Sequence, residues 1–158
     1  MGTRTAALLL MAVLAAGCSD DDAGVTPNAD ATTDADCAEM IPEHVFTTLG
    51  WAATPEGATI TVRGCHREAA QGYVELRQRR GYQRLCRTLD HTGGLSPGTP
   101  VDWLGEGATA CAVEPAGDVG QTKVLVKGTG DEATLVTIAV LTSTPRERVR
   151  AAVAELVS

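Results

Sequence analysis

Four cysteines, Cys37, Cys65, Cys86 and Cys111, constrain the fold of this chain more than any other feature. Their spacings of 28, 21 and 25 residues contain no CxxC. Zinc knuckles and thioredoxin-like redox pairs use closely spaced cysteines, so neither is indicated. In an exported protein an even number of cysteines indicates disulfides, here two. Three pairings can be drawn, and we favour Cys37–Cys65 with Cys86–Cys111, because each bridge would join neighbouring predicted elements.

The start of the chain indicates export. Arg4 supplies a positive charge, and residues 5–16 are apolar and uncharged. This run of about a dozen residues fits the hydrophobic region of a secretory signal and is shorter than the roughly 20 residues of a membrane-spanning helix. The small residues Ala15-Ala16-Gly17 then precede Cys18. The pattern resembles the lipobox of bacterial lipoprotein precursors, although Ala15 stands where that family favours Leu.

The resemblance implies that residues 1–17 are a cleaved signal peptide and that Cys18 becomes the lipidated first residue. In that family the sulfur receives a diacylglycerol and the new amine is often acylated too, commonly with palmitate. Two or more chains anchor a protein durably where one chain is marginal. We therefore expect an extracytoplasmic lipoprotein, in the outer membrane if the cell has one and otherwise on the outer face of the cytoplasmic membrane. The alternative is an ordinary cleaved signal with a stray cysteine.

Residues 18–36 are expected to be the lipidated cysteine and a disordered acidic tether. Six of the residues 19–36 are Asp and only Val25 is large and apolar, so little burial offsets the entropy of ordering. Residues 37–158, about 120 in number, suffice for a single disulfide-stabilised domain. Without the tether aspartates and Arg4, 12 basic and 14 acidic side chains remain, a net charge of −2. That balance does not indicate nucleic acid as a partner.

Hydrophobic periodicity predicts an α+β fold, with an antiparallel sheet of five or six strands packed against N-terminal, middle and C-terminal helices that cover one face. Strands are predicted at 59–63, 73–78, 101–104, 110–114, 121–127 and 133–142, and helices at 42–49, 82–89 and after Thr144. Thr144 is the predicted N-cap of the last helix, and Glu147 would complete a capping box. The sequence GTGDE at 128–132 predicts a hairpin.

The order of these elements resembles a group of small bacterial envelope lipoproteins of unknown function. The residues that carry the resemblance are Cys37, Leu49-Gly50, Cys65, Leu104-Gly105, Cys111 and the terminal helix. The resemblance implies a non-enzymatic role and carries no functional site over to this chain.

Motifs for catalysis and metal binding are lacking. The chain has no GxSxG, and His44, His66 and His91 show neither HxH nor HExxH spacing. Cys65 and His66 are adjacent on a predicted strand, so their side chains would point to opposite faces. Five scattered aromatic rings make a poor stacking platform for bases or sugars. We expect no cofactor, no metal and no enzymatic activity.

Arginines are concentrated in the middle of the domain. Seven of its 12 basic residues are arginines between 63 and 87. Guanidinium groups form paired hydrogen bonds with carboxylates and phosphates. Arg77, Arg79, Arg80, Arg84 and Arg87 are therefore a candidate anion-binding patch. Its partner would be an anionic envelope polymer, a phospholipid headgroup or an envelope protein. In the alternative interpretation, the arginines pair with Glu68, Glu75, Asp90 and the tether.

Taken together, these features predict a lipid-anchored cell-envelope protein whose domain is a non-catalytic binding or scaffolding module. The alternatives are a hydrolase of the cell wall or of phosphate esters, and a carrier of a small lipid or other ligand. A deep cleft in which a histidine and a carboxylate converge would favour the hydrolase. An exposed arginine patch would favour the binding module.

Overall fold

The computed structural model describes residues 34–61, 64–89 and 98–158. The predicted signal peptide, Cys18 and nearly all of the tether lie outside the described residues, as do Asp90 and His91. The elements, in chain order, are α1 (Asp34–Met40), α2 (Glu43–Leu49), β1 (Ala53–Thr61), β2 (Gly64–Ala69), β3 (Gly72–Arg80), α3 (Tyr82–Arg87), β4 (Thr99–Pro100), β5 (Ala110–Val113), β6 (Gly120–Lys127), β7 (Glu132–Val140) and α4 (Arg146–Val157).

All the described strands form one antiparallel sheet in the order β1-β2-β3-β7-β6-β5-β4. Six of them have four or more residues, and β4 is a two-residue strand at one edge. With helices in the N-terminal, middle and C-terminal regions, the structure confirms the predicted α+β fold.

The main core lies between one face of the sheet and the helices α1, α2 and α4. Alternate residues of a strand point to the same face, so Val74 of β3, Val136 of β7 and Val124 of β6 face this layer and are fully buried. Phe46 of α2 and Val153 of α4 pack against them. This burial of apolar surface is what holds the helical layer on the sheet.

The opposite face of the sheet carries a second, smaller core under α3. Leu125 of β6 and Cys111 of β5 are buried there with Leu89, and Tyr82 and Leu85 of α3 pack beside them. The expectation that all helices cover one face is therefore wrong. Strands β5 and β6 carry apolar residues on both faces of the sheet. The helices α1, α2 and α4 cover one face, and α3 covers the other.

The two disulfides join one helix to the sheet on each face. Cys37 of α1 is bonded to Cys65 of β2, with 5.3 Å between their Cα atoms. Cys86 of α3 is bonded to Cys111 of β5, with 6.0 Å between the Cα atoms. This is the pairing that the sequence favoured.

The start of the last helix differs from its prediction. Helix α4 begins at Arg146 with Pro145 as N-cap residue, and no side chain caps it. The Thr144 hydroxyl points inward, accepts a hydrogen bond of 2.9 Å from Trp51 Nε1 and donates to the carbonyl of Thr142 at 3.2 Å. The predicted capping box is wrong because a buried indole N–H needs an acceptor and Thr144 supplies it.

Residues 34–40 form helix α1, whereas the sequence predicts the end of the tether at 34–36 and a turn at 37–41. A strand begins at Gly64, where the strand predicted at 59–63 was expected to end. Gly64 is needed for close packing, because a Cβ there would collide with the carbonyl oxygen of Leu76. The hairpin at 128–132 is confirmed by the hydrogen bonds Gly128 N–H to Glu132 O, 2.9 Å, and Glu132 N–H to Thr129 O, 3.1 Å.

Candidate anion-binding surface

The five arginines of the predicted patch lie on two consecutive elements. Arg77, Arg79 and Arg80 are on the last part of β3, and Arg84 and Arg87 are on α3. The chain reverses between them at Gly81, whose φ of 88° is in the left-handed region that glycine adopts easily. The Gly81 N–H donates to the Asp131 carbonyl at 2.9 Å and ties this corner to the β6–β7 hairpin.

Arg77 differs from the other four in being paired with a carboxylate. Its Nε donates to Glu75 Oε1 at 2.8 Å, and both side chains lie on the face of β3 opposite the main core. The alternative interpretation is thus right for Arg77. The Glu68 carboxylate instead lies 3.2 Å from His66 Nε2, and Asp90 is outside the described residues.

Arg84 and Arg87 line a cleft of about 320 Å³ with Lys127 and Asp131. Arg87 Nε donates to the carbonyl of Gln83 at 3.2 Å, which leaves the rest of its guanidinium exposed. Lys127 was not part of the predicted patch. It lies 40 residues beyond Arg87, and only the antiparallel pairing of β6 with β7 brings it to this corner.

Arg79 lines a separate cleft of about 400 Å³ between α3 and the sheet, with Leu85, Leu125 and Leu135. It lies opposite Ala133 in the β3–β7 pairing, and Arg80 lies opposite Glu132. Within the described ranges, Arg79, Arg80 and Arg84 form no ion pair of 4 Å or less. These three guanidinium groups are therefore exposed and available to a ligand.

We call this corner the arginine surface; its basic residues are Arg79, Arg80, Arg84, Arg87 and Lys127, and its acidic neighbours are Asp131 and Glu132. Arg79 and Arg80 are consecutive in β3 and point to opposite faces of the sheet, so the positive charge lies around the corner rather than on one face. Five positive and two negative side chains give it a net charge of +3, against −2 for residues 37–158 as a whole. The remainder of the domain is correspondingly acidic. A local excess of exposed arginine on an acidic protein attracts anions over about one Debye length, ~10 Å at moderate salt.

Two histidines fall among the described residues, and each lies near a carboxylate. His44 Nε2 is 3.8 Å from Glu155 Oε2 at the rim of a cleft of about 510 Å³. Thr48 Oγ1 donates to the other oxygen of Glu155 at 2.7 Å. His66 stacks on Tyr73, with 4.7 Å between ring centroids. Over these same ranges, no three His, Cys, Asp or Glu side chains are grouped so that they could hold a metal ion.

No family model matches the chain, and neither the curated proteins nor the solved structures give a significant match. In the part of the chain that the structure describes, no helix is both long and apolar enough to cross a membrane.

Proposed function

We propose that this chain is a lipid-anchored protein of the cell envelope and that its α+β domain is a non-catalytic binding module. The anchor is inferred from the apolar run and the small residues before Cys18. The two disulfides support an oxidising, extracytoplasmic location, because bridges of this kind are rare in the cytosol.

The arginine surface is the proposed binding site, and its ligand is anionic. The observation that carries this proposal is the exposure of Arg79, Arg80 and Arg84 without a described carboxylate partner. Arg67, by contrast, is paired with Glu43 at 3.1 Å. Guanidinium groups are weakly hydrated and match phosphate and carboxylate oxygens in pairs, which suits lipid phosphates and acidic polymers.

Binding to anionic vesicles tests the site. The soluble form of residues 19–158 is mixed with vesicles that contain phosphatidylglycerol or only phosphatidylcholine, and co-sedimentation is measured over a range of salt concentrations. Each basic residue near an anionic membrane contributes about 1 kcal/mol. Replacing Arg79, Arg80 and Arg84 with Ala should therefore weaken binding by about 100-fold.

The matched control is Arg148→Ala, which removes an exposed arginine from α4, outside the arginine surface. It should change binding by no more than a few-fold. Equal binding of the triple variant and the unmodified domain, or binding that salt does not weaken, would show that the surface is ordinary solvated protein.

The anchor has its own test. Cys18→Ala should leave an unprocessed or soluble precursor, whereas the unmodified protein should partition into the detergent phase of a temperature-induced phase separation. Retention of the Cys18→Ala protein in the detergent phase would rule out lipidation at this sulfur.

A hydrolase on the same anchor is the second candidate. The observation that favours it is the approach of His44 to Glu155 at one cleft, where Glu155 also accepts a hydrogen bond from the Thr48 hydroxyl. General acid–base catalysis needs such groups within hydrogen-bonding reach of a substrate. The His44 side chain, however, is 64% exposed, so the site lacks the exclusion of water that strengthens electrostatic catalysis. Turnover of phosphate esters or cell-wall fragments that is lost in His44→Ala would establish this function.

A further inference from the structure

A further cleft, of about 480 Å³, lies at the end of the sheet away from the β6–β7 hairpin. It is bounded by the first turns of α4, the end of β5 and the chain that follows β4. The side chains that give it polar character are Asp102, Glu114, Arg146 and Arg150, and Trp103 contributes an aromatic ring. Its volume is in the range of clefts that hold small ligands, ~300–1,000 Å³.

Glu114 and Arg150 are held in fixed positions by one another. Arg150 Nε donates to Glu114 Oε1 at 2.8 Å, and Arg150 Nη2 donates to Glu114 Oε2 at 2.6 Å. This bidentate arrangement fixes the planes of both groups. The Arg150 guanidinium carbon lies 5.3 Å from the centroid of the Trp103 ring, within the range of a cation–π contact. The ring, the guanidinium and the carboxylate thus form one ordered unit.

Arg146 is oriented by backbone. Its Nη2 donates to the carbonyls of Pro115 and Ala116 at 3.0 and 3.1 Å. In the described part of the chain, Arg146 Nε and Nη1 and Arg150 Nη1 make no hydrogen bond. Because a guanidinium has five N–H donors, both groups keep donors that can serve a ligand. Each carboxylate oxygen of Glu114 likewise has a second lone pair.

The charges of the side chains that line the cleft sum to zero. Two arginines and two carboxylates line it, so it offers many hydrogen-bond donors and acceptors with no net charge. Such a site does not attract a strongly charged ligand, in contrast to the arginine surface at the other end of β6. It suits a neutral molecule with several hydroxyl groups and an apolar face that can pack against an indole ring.

We propose that this cleft binds a neutral sugar unit. A sugar ring presents C–H groups, which would pack on the exposed part of the Trp103 ring that Arg150 does not cover, and hydroxyls that both donate and accept. The hydroxyls would donate to the free lone pairs of Glu114 and Asp102 and accept from the unused N–H groups of Arg146 and Arg150. This site is separate from the arginine surface and does not depend on the function proposed for it.

The sequence indicated a poor stacking platform for sugars, because five rings are scattered over the domain. A continuous platform is needed for a row of stacked units, whereas one sugar unit needs only one ring beside ordered polar groups. Those groups come from residues 102–103, 114 and 146–150, which are adjacent only in the fold.

Tryptophan fluorescence provides the test, because the chain has two tryptophans. Trp51 is 7% exposed and hydrogen-bonded to Thr144, so it lies in the core. The substitution Trp51→Phe leaves Trp103 as the only tryptophan that can report binding. The full-length protein is purified in a detergent without a sugar headgroup, since such a headgroup would compete. It is titrated with neutral trisaccharides of glucose, galactose and N-acetylglucosamine, to about 10 mM, which detects binding as weak as about −3 kcal/mol.

At least one trisaccharide should give a saturable change of the Trp103 emission in Trp51→Phe. Arg146→Gln removes free donors from the cleft without touching the core, and it should weaken that binding at least about tenfold. Arg148→Ala, two residues further along α4, is the matched control and should bind as the parent does, as should the Arg79, Arg80 and Arg84 triple variant.

Three results would overturn the proposal. One is the absence of a saturable change with all three trisaccharides while the protein remains folded by circular dichroism. Another is binding that Arg146→Gln and Glu114→Gln leave unchanged, which would place the sugar elsewhere. The third is a saturable response to glucuronate alone, because it would make the cleft an anion site. None of these results bears on vesicle binding by the arginine surface.

Discussion

Replacing Glu114 with Gln should weaken the domain by removing half of an ordered ion pair. Glu114 and Arg150 are 17% and 37% exposed as side chains and share two charge-assisted hydrogen bonds. Exposed pairs contribute about 0–1 kcal/mol, and hydrogen bonds to charged groups about 1.5–3 kcal/mol each. Because Arg150 is more than a third exposed, solvent screens the interaction. The contribution of this pair to stability should therefore lie between that of an exposed ion pair and that of two unscreened charge-assisted hydrogen bonds. We expect Glu114→Gln to lower the free energy of unfolding by about 1–2 kcal/mol at neutral pH.

The loss should depend on pH in a defined direction. The hydrogen bond from Arg150 lowers the pKa of the Glu114 carboxyl below its ordinary value of 4.5, against a smaller opposing effect of burial. A group with a lowered pKa in the folded state stabilises the fold above its unfolded-state pKa, and this contribution disappears as the pH falls through its folded-state pKa. Gln does not titrate. The difference between the two proteins should therefore be full at neutral pH and shrink in acid.

Urea unfolding of residues 19–158 with intact disulfides, at about pH 7 and about pH 3, measures both effects. Glu106→Gln is the control, because Glu106 is exposed in a turn outside this cleft and its loss should cost less than about 0.5 kcal/mol. The reasoning fails if Glu114→Gln matches Glu106→Gln at neutral pH. It also fails if the loss caused by Glu114→Gln is the same at both pH values.

Three further substitutions test the core and its links. Leu49→Ala should lower the free energy of urea unfolding by about 2–4 kcal/mol, since Leu49 is 2% exposed. The control Leu141→Ala, at a residue that is 68% exposed, should cost less than about 0.5 kcal/mol. Equal losses in the two variants would contradict the burial of Leu49. Trp51→Phe removes the hydrogen bond to a buried hydroxyl and should cost about 1 kcal/mol; no loss would mean that the hydroxyl finds water. Replacing both Cys86 and Cys111 with Ser removes a disulfide between residues 25 apart in sequence. It should lower the free energy of unfolding by about 3 kcal/mol, measured by thermal unfolding. An unchanged midpoint would mean that the disulfide does not form.

Elements with a single buried face were predictable from the sequence. The spacing of Ile41, Val45 and Leu49 predicts one buried side for the helix at 42–49. All three residues are at most 2% exposed, and Ile41 lies just before the start of α2. In β3, the alternation of Val74 and Leu76 with polar neighbours predicts the core-facing side, which the structure confirms. In both cases the prediction depends only on which side of the element is apolar, because that side packs against the core.

Features that depend on a distant partner were not predictable. Thr144 has the composition of an N-cap, but its hydroxyl is taken by Trp51, 93 residues away. The face that α3 covers depends on Cys111 and Leu125, whose strands are apolar on both sides. Local patterns describe what a residue can do, and long-range pairing decides which of these roles it takes.

The same distinction explains why the sequence predicts an arginine patch and does not predict the cleft beside α4. Arg79, Arg80, Arg84 and Arg87 lie within nine residues, and one reversal at Gly81 places the end of β3 and α3 at the same corner. The polar groups of the cleft come from the β4–β5 edge and from α4, so they meet only after the whole sheet has formed and α4 has packed. The two sites lie toward opposite ends of β6, an eight-residue strand that spans ~25 Å. A small ligand bound at the arginine surface would therefore not reach the cleft beside α4, so the two proposed sites can be tested separately.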